Sequence, residues 1–128
     1  MGYTHYWTNV QMSKEQWSEI VARAKNILTT VSNIPVQWEC DVDEPPTISD
    51  DCIRFNGVEE DGHETFFIPR TGTDWEFCKT ARKPYDTVVV AMLTMLNDVN
   101  PDFTWTSDGT IQDHQEGREL YAASLKVT

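Results

Sequence analysis

Between Lys14 and Val31 the apolar side chains return every three or four residues, at Trp17, Ile20, Val21, Ala24, Ile27, Leu28 and Val31. That spacing lays them along one stripe of a 3.6-residue helix and predicts an amphipathic helix with one buried face. Ser13, followed three residues later by Gln16, has the spacing of a capping box and marks the start, while Asn33 and Pro35 end the run. Ahead of it, residues 3–8 are aromatic and β-branched and alternate in character, which predicts a strand. Its rings fall on both faces, so one face can pack in a core while the other presents an aromatic wall.

The period of two returns at Val36–Cys40, again a strand, and residues 41–51, with Pro45 and Pro46 inside them, read as a loop. Residues 52–57 and 64–69 predict two strands that pair as a hairpin across a polar connection containing Asp61 and Gly62. Residues 75–79 fit a strand or a loop equally well by pattern. Pro84 suits a first helical turn and Asp86 complements its positive end, so a second amphipathic helix runs on through Tyr85, Val88, Val89, Met92, Leu93 and Leu96 to about Asn97. Residues 103–106 alternate as a strand, Asp108 and Gly109 turn the chain, and residues 112–125 carry Leu120, Tyr121 and Leu125 at helical spacing, with Gly117 weakening that helix. The rhythm is that of hairpins rather than βαβ units. It predicts an α+β fold, a mostly antiparallel sheet with two or three helices packed on one face.

At 128 residues, with 39% hydrophobic residues and five Trp, the chain is expected to form a single α+β domain over residues 1–128. No run approaches the roughly 18 apolar residues of a membrane span, and no basic region followed by an apolar run opens the chain, so neither a membrane nor secretion is expected. Cys40, Cys52 and Cys78 are odd in number and lack metal-ligand spacing, and read as free thiols of a reducing cytoplasm.

Charge changes the picture more than composition does. A net charge of -11 repels polyanions and argues against direct binding of nucleic acid. From Glu39 to Glu64 there are ten carboxylates and one cation, Arg54; from Arg70 to Lys83 the balance reverses. The densest stretch is Phe77 to Asp86, where Lys79, Thr80, Arg82 and Lys83 stand just ahead of a predicted helix N-terminus. Cations beside free backbone N–H groups suit a phosphate or a carboxylate. The same cations serve equally as a solvated strip that balances the acidic segment. Tyr3, Tyr6 and Trp7 are candidates to stack a base, Asn56 and Asp86 to read polar edges, and His5 is either a further ligand-binding side chain or a structural histidine. A nucleophilic Cys78 with His5 or His63 has no local signature. The carboxylate clusters at 41–44 and 59–61 lack the register of a calcium loop, so neither a metal nor any other cofactor is expected.

The opening MGYTHYWTN, RFNG at 54–57, FCKTARKPYD at 77–86 and SDG at 107–109 resemble a family of small uncharacterised proteins encoded by phages and in bacterial genomes. The resemblance spans most of the chain, and FCKTARKPYD is its most specific motif. It implies a phage-type accessory protein in the cytosol of a bacterial host, of the kind that counters host defences. The expectation that follows is a binder, homo-oligomeric in one version, that sequesters a small phosphorylated, nucleotide-like ligand such as an immune signal. Its candidate site is Tyr3, His5, Tyr6, Trp7, Asn56, Lys79, Thr80, Arg82, Lys83 and Asp86. Two alternatives stand beside it: an acidic inhibitor whose 39–64 region imitates nucleic acid to occlude a host defence protein, and a small nucleotide hydrolase.

Overall fold

The computed structural model describes residues 2–126. Its elements in chain order are β1 (Thr4–Thr8), α1 (Lys14–Thr30), β2 (Val36–Gln37), β3 (Thr47–Ile48), β4 (Cys52–Gly57), β5 (Phe66–Pro69), β6 (Trp75–Lys79), α2 (Asp86–Val99), β7 (Trp105–Ser107) and α3 (Gln115–Ser124). The fold is α+β, and every strand pair is antiparallel.

The strands form two sheets rather than one. In the first, β1 lies between β6 and β7, with His5 opposite both Cys78 and Ser107. In the second, β4 pairs with each of β2, β3 and β5. The hairpin expected between residues 52–57 and 64–69 is present, and the polar connection contains a short 3-10 turn at Glu59–Asp61. Residues 75–79 are a strand because β1 pairs with them along their whole length.

Helix α1 begins as its capping box dictates. Ser13 Oγ accepts from Gln16 N at 3.1 Å, and Gln16 Oε1 accepts from Ser13 N at 3.2 Å. Trp17, Ile20, Ala24 and Ile27 form its buried stripe. Helix α2 is buried almost all round, from Val88 through Leu93 and at Met95 and Leu96, and lies against both α1 and α3. Gly117 is what lets α3 come so near: a Cβ there would sit 2.4 Å from Val90 Cγ1. One contiguous core joins the helices to both sheets through Trp7, Phe55, Phe66, Cys78 and Phe103. Phe103, expected in a strand, instead fills that core with no exposed surface, and β7 starts two residues later.

Candidate functional site

Antiparallel partners point to the same face of a sheet, so the β1–β6–β7 register divides these side chains cleanly. His5, Trp7, Cys78, Trp105 and Ser107 face inward, while Thr4, Tyr6, Thr8, Trp75, Phe77 and Lys79 face outward. The ten residues singled out from the sequence therefore separate. Tyr3, His5, Thr80, Arg82, Lys83 and Asp86 gather at one end of the inner face. Tyr6 and Lys79 stand on the outer face, with Trp75 and Phe77. Trp7 is a core residue, packed on Phe66 at 5.5 Å, with its indole N–H donating to Asn9 at 2.9 Å. Asn56 is 1% exposed and has no polar atom to spare. Its amide donates to His63 O and Thr65 Oγ1, and its oxygen accepts from Gly57 N and His63 N. It pins the β4–β5 connection, which removes it as a reader of ligand edges.

The inner-face cluster is built by the loop after β6. Thr80 N and Ala81 N both donate to Tyr3 O, at 3.1 and 3.2 Å, and Lys83 N donates back to Thr80 O at 3.0 Å. The turn so closed has both central residues in the left-handed region, Ala81 at φ 54° and Arg82 at φ 58°. Asn-Gly normally serves such a turn, and side chains with a Cβ cost about 1–2 kcal/mol each there. The strain turns Arg82 back on the domain, where its guanidinium carbon lies 4.1 Å above the Tyr3 ring.

The loop then enters α2 without leaving its amides free. Asp86 N donates to Lys83 O, Thr87 N to Pro84 O and Val88 N to Tyr85 O. The ring of free N–H groups expected as an anion cradle is thus already occupied, and the positive character of the site rests on Arg82 and Lys83. Asp86 turns inward instead: its Oδ1 lies 2.6 Å from His5 Nε2 and accepts from Thr80 Oγ1 at 2.6 Å. A neutral His5 therefore carries its proton on Nε2 and leaves Nδ1 bare. His5 Nδ1 and the Tyr3 hydroxyl, on rings meeting edge-on at 5.2 Å, are both buried, and His5 Nδ1 has no hydrogen-bond partner among the described residues.

Two more residues complete the cluster, Ser107 of the SDG motif and His114, which no motif or periodicity marks. His114 Nε2 lies 3.0 Å from Ser107 Oγ, and its ring centre is 5.7 Å from that of His5. Burial, and then the proximity of His5, holds His114 below the ordinary imidazole pKa. Above this layer is an open concavity of about 370 Å³, lined by Tyr3, Arg82, Lys83, Asp86, Asp113 and Glu116 among others. Its charges are mixed. Arg82 pairs with Asp113 at 3.2 Å, and the Thr110 backbone N–H and Arg82 hold the Asp113 carboxyl below its usual range. Lys83 has no ion pair among the described residues. Cys78 has no part in this chemistry. Burial pushes its thiol up to about 12, so it stays protonated and un-nucleophilic at neutral pH.

Among the described residues no group of three or more His, Cys, Asp or Glu is placed to hold a metal ion, and no helix is long and apolar enough to cross a membrane. Comparison with protein-family models, with curated proteins and with solved structures gave no match to this chain. The reading of the site rests on its own geometry.

Proposed function

We propose that the concavity at the open end of the β1–β6 pair captures a small phosphorylated molecule of nucleotide-like character. The observation that carries this reading is the placement of Arg82. A strained turn stacks it on Tyr3 at the wall of a concavity that Lys83 also lines. A guanidinium held in place by an aromatic face loses little freedom on meeting a phosphate, and its planar fork accepts two phosphate oxygens at once. Asp113 pairs with one nitrogen of that fork and acts as a built-in competitor. The pair is exposed and weakly held, so a phosphate with two formal charges displaces it readily. Asp86, held by His5 and Thr80 through one oxygen, keeps the other for a hydroxyl or amine of the same ligand. In a phage-type protein, as the family resemblance implies, such capture would withdraw a signalling nucleotide from the host.

Isothermal titration against a panel of mono-, di- and cyclic nucleotides tests the reading. One or more members should bind, Arg82→Ala should abolish the heat, and Asp113→Asn should tighten binding about two- to fivefold by freeing the guanidinium. No heat with any member, or binding indifferent to Arg82→Ala, counts against it.

A second reading has an observation of its own. Of the ten carboxylates between Glu39 and Glu64, all but Glu39 and Glu64 are exposed, and among the described residues Glu39 alone is ion-paired, with Arg54 at 2.6 Å. A surface of that charge suits a basic partner such as the nucleic-acid groove of a host protein. Capture of such a partner that is salt-sensitive, lost on charge reversal at Glu59, Glu60 and Asp61, and untouched by Arg82→Ala would favour this reading over the first.

A further inference from the structure

The outer face of the β6–β1–β7 sheet takes no part in the site above, and its composition is unlike the rest of the surface. Thr4, Tyr6 and Thr8 of β1 stand on it beside Trp75, Phe77 and Lys79 of β6. Of these six only Lys79 is charged, in a chain of which 24% of residues are charged, and the exposed Asp108 stands at the β7 edge, where its carboxylate accepts from the Tyr6 hydroxyl at 3.2 Å. Trp75 is 60% exposed and Phe77 48%, and among the described residues no element packs over them. The rings form a continuous surface: Tyr6 and Trp75 lie within 21° of parallel with centres 6.1 Å apart, and Trp75 and Phe77 are 5.6 Å apart. Aromatic enrichment with depletion of charge is the compositional mark of the desolvated centre of a protein interface.

We infer that this face is a self-association surface whose occupant is a second copy of this chain, related by a two-fold axis. Charge decides between self and other. Two molecules carrying -11 each repel over most of their surfaces and meet at less cost on this face, where Lys79 offsets one of the two carboxylates, Glu64 and Asp108. A basic partner, by contrast, is drawn to residues 39–64 and gains nothing from an aromatic sheet. The rim of the patch is also self-complementary. Glu64 and Lys79 lie side by side, with Glu64 Oε1 accepting from Lys79 N at 2.7 Å, and both line a shallow depression of about 330 Å³ with the rings. A two-fold operator sets Lys79 of each copy against Glu64 of the other, a reciprocity available to an isologous contact. Three strands about 4.8 Å apart and five residues of about 3.3 Å rise give a flat centre of roughly 250 Å². That is the core and not the whole of a standard interface of about 800 Å² per partner, so the dimer should exchange in the micromolar range.

Sedimentation of the full chain across about 1 to 200 µM tests this. The mass should rise from 14.7 kDa toward twice that value with concentration. The Trp75→Glu, Phe77→Glu double variant should stay at 14.7 kDa throughout, with unchanged circular dichroism, since both side chains are exposed. Lys79→Glu and Glu64→Lys should each weaken the dimer when alone and form a heterodimer when mixed, because the mixture restores both charge pairs. A wild-type chain that stays monomeric throughout overturns the inference, and so does a dimer that survives the double aromatic substitution. A monomeric Arg82→Ala variant whose tryptophan emission is still quenched by nucleotide, with the quench lost on adding Trp75→Phe, overturns it too, and reassigns the face to a ligand. None of these outcomes depends on Arg82, so this inference and the proposed function fail separately.

Discussion

The two faces of the three-stranded sheet are made by the same strands and obey opposite rules. On the inner face every polar atom is placed and most are bonded: His5 to Asp86, Asp86 to Thr80, His114 to Ser107, all beneath a ring capped by Arg82. On the outer face Trp75 and Phe77 lie open, with nothing among the described residues over them. One residue of β1 separates the two environments, since His5 is fully buried and Tyr6 stands outside. The lesson is that strand alternation distributes roles as well as hydrophobicity. A motif read as one cluster in the sequence, the Tyr3–Trp7 rings with the Lys79–Lys83 cations, belongs to two surfaces with different chemistry.

Substitution should separate the faces most sharply at their centres. His5→Phe leaves Asp86 without its imidazole partner, with only the Thr80 hydroxyl still bonded to it, and should cost about 3 kcal/mol in denaturant unfolding, the low end for a broken buried pair. Trp75→Ala on the opposite face should stay within about 0.5 kcal/mol of wild type. Equal losses at the two positions would erase the distinction. Gly109→Ala comes next. An added Cβ would meet the Tyr3 hydroxyl at 2.0 Å, so Tyr3 must shift, with a loss of about 1–3 kcal/mol and weakened nucleotide binding. A neutral result would mean that the 107–113 segment does not brace Tyr3.

A smaller effect is expected from acid. His114 is held below the ordinary imidazole value of 6.5 by burial and by His5. A depressed folded pKa means that the unfolded chain binds the proton more readily. Stability from this group is therefore intact above about pH 6.5 and declines as pH falls through that value toward the folded pKa. Thermal melts between pH 8 and 5 should show the decline, and His114→Gln should remove part of it. An unchanged slope in that variant would place the acid sensitivity elsewhere.

Much of the fold was legible because its signals are local. The capping box and seven-residue apolar stripe fixed α1, and the alternation in residues 52–57 and 64–69 fixed the second sheet's hairpin. What was not legible depends on contacts remote in sequence. The strand β3 is two residues inside an acidic, proline-bearing loop and exists only because β4 pairs with it. Alternation at Trp75, Phe77 and Lys79 was visible, but a period of two cannot say which face meets the core. Of the site, the cationic turn stood out by composition, whereas the partners of its residues did not. His5 meets Asp86 across 81 positions, and Arg82 meets Asp113 across 31, with no pattern to join them. Asn56 drew notice for its chemistry, and local hydrogen bonding absorbs all of it.

The division of labour between the faces is tested most directly by following backbone amide resonances while a binding nucleotide is added. The account predicts saturable shifts at Arg82, Lys83 and Asp86, with Tyr6 and Phe77 unmoved at constant protein concentration. Shifts centred on Tyr6, Phe77 and Lys79, with the 80–86 turn silent, would contradict it.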